Sequence, residues 1–141
     1  MAIKPVDAPI SILIIEDDII DIQDVLRQFQ LLDVPIDFHI AKNGVEALDK
    51  LYGSHGAEKI MPLPHAIILD TNMPKMGGIE FLSKLRSDSD FDNVKVFMLT
   101  GEYTTREKLA THNLNVTFRI IKPLQFEDVR HIYWVILGRN L

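Results

Sequence analysis

The chain has 141 residues, 47% of them hydrophobic and 25% charged, enough for one compact domain with a single filled core and too few for two. A net charge of −5 leaves no basic footprint for tracking a phosphate backbone, which argues against direct nucleic-acid binding. There is no cysteine, so disulfides and thiolate metal sites are excluded and a reducing compartment is the simpler expectation.

Before Ser11 the chain carries Pro5, Asp7 and Pro9 and lacks the charged-then-apolar order of a signal peptide. No apolar run approaches membrane-spanning length, so no membrane partner and a cytoplasmic location are expected. The run "SILII" (11–15) reads as a first strand, and it ends in Glu16, Asp17 and Asp18. From Ile19 to Leu32 a helical stripe of Ile22, Leu26 and Phe29 follows; Asp18 is its expected N-cap, and Asp21 and Asp24 are expected to be solvated. "IDFHI" (36–40) alternates in polarity as an edge strand does. A turn at Lys42-Asn43-Gly44 leads into a helix capped by Asn43, with Val45, Leu48 and Leu51 or Tyr52 on its stripe.

A long loop, 53–65, precedes the third strand, "AIILD" (66–70). This strand is apolar until Asp70, and Asn72, Pro74, Gly77 and Gly78 turn the chain into a helix with Ile79, Leu82 and Leu85 on its stripe. "VKVFML" (94–99) is a fourth strand ending at Thr100. Glu102 to Asn113 is a helix with a weak pattern, "TFRII" (117–121) is a fifth strand ending at Lys122, and Gln125 to Leu137 is a long apolar helix. Strand and helix thus alternate five times. Three of the strands are apolar on both faces, as strands are when crossover helices cover a parallel sheet on each side. The expected architecture is α/β, a doubly wound five-stranded parallel sheet whose core spans 11–137 within a single domain, 1–141.

In such a sheet ligands bind outside the carboxyl ends of the strands, where strand order reverses. Glu16 and Asp17 end one strand and Asp70 another, on the same rim. Each pair of carboxylates about 4 Å apart repels by roughly 4 kcal/mol at an effective dielectric near 20. Their convergence therefore calls for a cation, and oxygen-only ligands favour Mg²⁺. Thr100 and Lys122 add a hydroxyl and an ammonium at the same rim, an arrangement suited to holding a phosphoryl group beside a nucleophilic Asp70.

An acidic pair after strand one, Asp70 with Met73, Pro74 and Gly78, Thr100-Gly101 after strand four and Lys122-Pro123 after strand five together resemble the receiver domain of two-component response regulators. The resemblance covers about Ser11 to Leu137. It implies a flavodoxin-like (βα)₅ fold, Glu16, Asp17 and Asp70 as Mg²⁺ ligands together with the backbone carbonyl of Asn72, and Asp70 as phosphoacceptor. Thr100 is then the switch hydroxyl, Lys122 the phosphoryl partner, and the Lys122–Pro123 bond cis. It further implies a sensor histidine kinase as donor, no enzymatic turnover of its own, and an output surface on helix four, strand five and helix five. Loop 53–65 and the N-terminal residues resemble single-domain receivers that partner phytochrome-type histidine kinases. With no output domain expected after helix five, the output is a protein contact or onward phosphotransfer.

One position departs from the family pattern. Three residues before the lysine, where Tyr or Phe is common, stands Arg119, and strand alternation puts neighbouring Phe118 on the other face. The aromatic half of the switch lacks its usual residue here; Arg119 is either an exposed partner contact or a solvated edge residue. On helix five, Phe126, Val129, Tyr133, Ile136 and Leu137 make the core stripe. Ile132, Trp134 and Val135 are left in excess, which points to homodimerisation or partner docking. Two other readings stay open: a receiver-like module that binds partners without phosphorylation, and a haloacid dehalogenase-type phosphatase. The second needs an acid two residues after the nucleophile, where this chain has Asn72.

Overall fold

Five strands and five helices alternate in the computed structural model, which describes residues 9–71, 73, 76–102 and 104–138. In chain order they are β1 Ile10–Ile15, α1 Ile19–Gln30, β2 Ile36–Ala41, α2 Gly44–Tyr52, β3 Ala66–Asp70, α3 Gly78–Arg86, β4 Lys95–Thr100, α4 Thr105–Ala110, β5 Phe118–Ile121 and α5 Phe126–Ile136. A short 3₁₀ turn, Ser89–Phe91, precedes β4. The strands form one parallel sheet in the order β2-β1-β3-β4-β5, the expected doubly wound architecture. Strand order reverses between β1 and β3, and the crevice above those two strand ends is where such sheets hold ligands.

Alternation along each strand sorts the side chains onto two faces. Leu13, Ile15, Ile67, Leu69, Val96 and Met98 meet Ala47 and Leu51 of α2 and Phe81, Leu82 and Leu85 of α3. Ile12, Ile14, Ile68, Phe97 and Leu99 meet Val25 and Phe29 of α1 and Val129 and Ile132 of α5. The central strands are buried on both faces, which is why they read as unbroken apolar runs, whereas β2 at the edge is half-buried.

Local signals set the helix starts. The Asp18 carboxylate accepts from the N–H of Ile20 and Asp21, and the Asn43 side chain accepts from Glu46 N–H, so both expected caps are formed. Thr104 caps α4 by accepting from Glu107 N–H at 3.1 Å. That helix is six residues long rather than the twelve anticipated: capping begins it later than Glu102, and Thr111 leaves helical geometry after Ala110. Loop 53–65 leads into β3 and folds back on α2 by burying Ile60 and by donating from Ile60 N–H to Lys50 O. His65 N–H donates to Ser11 O, and His65 O accepts from Lys95 N–H, so the start of β3 is tied to both neighbours.

On α5 the stripe differs from the expected one. Ile132 is fully buried together with Val129, since positions three apart share a helical face; it belongs to the core and presents no surface. Val135 is half-buried against the same cluster, and Trp134 is half-buried. Among the described residues no helix is long and apolar enough to cross a membrane.

Candidate functional site

The sheet delivers Glu16 and Asp70 to one spot because β1 and β3 are neighbours in register, Ile15 beside Leu69. Glu16 follows β1 directly, and its N–H donates to Ala41 O, which fixes the turn. Asp70 is the last residue of β3. Gly78 allows α3 to start hard against it: a Cβ at Gly78 would lie 2.6 Å from Asp70 O and 2.8 Å from Thr71 Cα. Carboxylate oxygens of Glu16, Asp17 and Asp70 all lie within 4.8 Å of one another, with Glu16 and Asp70 buried and Asp17 exposed.

Lys122 closes the site from β5. Its N–H donates to Thr100 O at 2.8 Å, which sets its height on the rim. Its Nζ stands 3.1 Å from Asp70 Oδ1, 3.5 Å from Glu16 Oε2 and 3.3 Å from Asp21 Oδ2. The Lys122–Pro123 bond is cis, as the resemblance implied, and so is Met61–Pro62, which no sequence cue indicated.

Charge crowding shows in the titration of these groups. Burial, then the adjoining Asp70 carboxylate, pushes the Glu16 carboxyl up to about 7 despite Lys122 and the Asp18 N–H. For Lys122, burial works against the charge, but contact with Asp70, and then Glu16 and Asp21, reverses this and holds the ammonium above the usual lysine value. Glu16 Oε1 accepts from Asp18 N–H at 3.1 Å, while Oε2 is buried with no hydrogen-bond donor among the described residues. A buried carboxylate oxygen with no hydrogen bond and only the Lys122 ammonium near it, at 3.5 Å, facing two other carboxylates, is what a hard divalent ion would satisfy, and the donor set is all oxygen. Asn72, expected to add its carbonyl, lies outside the described residues.

Thr100 reaches the rim from β4 as expected, but its hydroxyl is turned aside. Oγ1 donates to Glu102 O at 2.9 Å and to Glu107 Oε2 at 3.1 Å. Arg119 is half-buried rather than fully exposed, and its guanidinium donates to Thr111 Oγ1 at 3.1 Å. Phe118, on the opposite face, stacks on Phe97 with ring centroids 6.3 Å apart and meets His131 at 4.1 Å. Its ring therefore does not take the position that Arg119 holds.

Sequence reasoning missed two site-shaping acids. Asp21 lies one turn after Asp18 and so faces the same rim as the acidic pair; that spacing was the available signal. Thr104-x-x-Glu107 has the form of a capping box, in which the glutamate would return to the cap. Glu107 instead spends its carboxylate on Thr100.

The chain matches the response regulator receiver domain over residues 12–133. A two-component response regulator from Legionella pneumophila is 45% identical, with a TM-score of 0.85 over 92% of this chain and 98% of that one. A phosphorylated cyanobacterial phytochrome response regulator, RcpA, is 26% identical with a TM-score of 0.80 over 93% and 96%. Chemotaxis protein CheY1 of Helicobacter pylori is 32% identical over 100 residues, 71% of this chain and 75% of its own. With the acids of β1 and β3, the threonine of β4 and the lysine of β5 gathered on one rim, this chain belongs to the response regulator receiver domain family of two-component signalling.

Proposed function

We propose that Asp70 takes a phosphoryl group from the phosphohistidine of a sensor histidine kinase. An Asp70 Oδ forms a bond to phosphorus as the phosphorus–nitrogen bond breaks, and the electron pair stays with the leaving imidazole. Lys122 contacts the arriving phosphoryl oxygens and offsets their charge. Glu16, Asp17 and Asp70, with the Asn72 carbonyl, would hold Mg²⁺, which when bound neutralises charge on the carboxylates and the phosphoryl group. The observation that carries this reading is the meeting of three carboxylates within 4.8 Å, with Lys122 Nζ 3.1 Å from Asp70. Phosphorylation replaces the single carboxylate charge of Asp70 with a phosphoryl group carrying about −1.5 to −2 charges and strong acceptor oxygens, which can draw the Thr100 hydroxyl towards it.

The donor is a kinase charged by ATP, which places the exchange in the cytoplasm, and the product is a signal rather than a released compound. Output passes through α4, β5 and α5 to a downstream protein or a phosphotransfer partner, with Trp134 and Val135 on the candidate contact surface for that partner or for a homodimer. Similarity to phytochrome response regulator RcpA supports a phytochrome-type kinase as donor. Incubation with acetyl phosphate and Mg²⁺, followed by intact-mass analysis, tests the reading: one phosphoryl group is expected, and Asp70→Asn abolishes it. No adduct on the unmodified chain favours the second reading, a receiver that binds partners unphosphorylated, to which Arg119 in place of an aromatic residue lends weight.

A further inference from the structure

We infer that Glu107 is a positioning residue: it latches the Thr100 hydroxyl away from Asp70 and, through Thr111, couples that hydroxyl to Arg119 in a polar relay under α4. The inference rests on the phosphoacceptor reading of Asp70 for its trigger and on separate contacts for its parts. Thr100, Glu107 and Thr111 are all buried. Thr100 Oγ1 has one proton, shared between Glu102 O at 2.9 Å and Glu107 Oε2 at 3.1 Å. Thr111 Oγ1 donates to Glu107 O at 2.9 Å and accepts from Arg119 at 3.1 Å. The β4–β5 register sets Met98 beside Arg119, so Thr100, two residues on from Met98, shares the Arg119 face of the sheet.

A hydroxyl that turns to a phosphoryl oxygen must leave Glu107. Glu107 Oε1 already lacks a hydrogen-bond partner among the described residues. Losing Thr100 as well would leave a buried carboxylate without a side-chain donor, an arrangement proteins avoid. Glu107 must then move, and it lies in a helix of only six residues on which Leu109 is 72% exposed, an element with little apolar anchorage. A groove of about 980 Å³ lined in part by Thr71, Ile79, Thr100 and Glu107 gives α4 room to shift. Because Thr111 follows α4 directly, displacement of the helix disturbs the Arg119 contact on β5. Arg119 thus reports the state of Thr100 by hydrogen bonding, without an aromatic ring.

Three-bond coupling constants of Thr100 measure its side-chain rotamers in the unphosphorylated full chain. Glu107→Ala should raise the minor rotamer about tenfold, the lower end for losing a hydrogen bond to a charged group. Glu107→Gln, which keeps an acceptor oxygen, should raise it less and guards against misfolding of the alanine variant. Unchanged Thr100 rotamers in both variants would overturn the latch. Thr111→Val should shrink the phosphorylation-induced shift of the Arg119 Nε–H resonance while leaving that of Thr100 intact; an undiminished Arg119 shift overturns the relay. Intact mass separates the two layers: a chain that takes no phosphoryl group sinks the phosphoacceptor reading, while the rotamer comparison still decides the latch.

Discussion

Asp21 Oδ2 lies 3.3 Å from Lys122 Nζ, although the two are 101 positions apart in the chain. The lysine that closes the site is thereby held between α1 and the rim, so the helix after the acidic pair helps to aim it. Asp21 is partly exposed, and such pairs contribute about 0–1 kcal/mol. Asp21→Asn should therefore cost less than about 1 kcal/mol in urea unfolding. Lys122→Ala leaves Glu16 and Asp70 without their cation and should cost several times more, in the ~3–5 kcal/mol range for breaking a buried pair. Added Mg²⁺ should restore much of the Lys122→Ala loss; an equal loss with and without the ion would contradict the shared role of lysine and metal.

Removing the Asp70 carboxylate should stabilise the metal-free protein. Asp70→Asn takes one charge from a cluster whose pairs repel by roughly 4 kcal/mol each at 4 Å and an effective dielectric near 20, partly offset by loss of the Lys122 contact. A higher melting temperature in EDTA, together with loss of both Mg²⁺ binding and the phosphoryl adduct, is the expected set. A lower melting temperature would mean that Lys122 outweighs the repulsion.

Acidity should act through Glu16. Its carboxyl is raised from 4.5 to about 7 in the folded chain, so between those values the folded state binds more protons than the unfolded one. Metal-free stability therefore falls as pH climbs through that window and levels off above it. Mg²⁺ affinity should rise over the same interval, because the ion competes with that proton. Isothermal titration at pH 5.5 and 8, beside urea melts in EDTA, checks both signs.

Gly78→Ala tests how tightly α3 is seated against Asp70. The added methyl meets the backbone at Asp70 and Thr71, which cannot swing aside as a flexible side chain would. Overpacking of this kind costs about 1–3 kcal/mol. Phosphorylation by acetyl phosphate should slow in step, since the displaced atoms carry Asp70. Wild-type rates would show that the strand end absorbs the clash elsewhere.

On α5, two neighbouring residues should behave differently. Ile132→Ala opens a cavity in the core and should cost about 2–5 kcal/mol without a specific effect on association. Trp134→Ala should leave stability nearer wild type and weaken any dimer detected by light scattering before and after phosphorylation. A monomer throughout, with both chains, removes the α5 surface as a homodimer contact.

The strands were legible because each is a short β-branched run, and the site because five chemically unusual residues, Glu16, Asp17, Asp70, Thr100 and Lys122, stand at the ends of four strands that neighbour one another in the sheet. Asp70 after three apolar positions is the clearest case. Ile132, Asp21 and Glu107 were misjudged or missed for a common reason: each has a sound local reading, as excess stripe, solvated first-turn acid and capping-box glutamate. Periodicity reports which side of a helix a residue occupies, but it does not report which side chain from a distant segment waits there. Lys122 was needed to reveal Asp21, and Thr100 to reveal Glu107.

The His65 end of loop 53–65 and the acidic rim sit at opposite ends of β3, about 16 Å apart at the usual rise per strand residue. His65 clamps the near end to Ser11 and Lys95, so slack introduced upstream stops there and does not propagate along the strand. The exposed left-handed turn at His55 and Gly56 is accordingly a natural grafting point for a fluorophore or affinity handle, one that can report on the protein while the phosphoryl chemistry proceeds undisturbed.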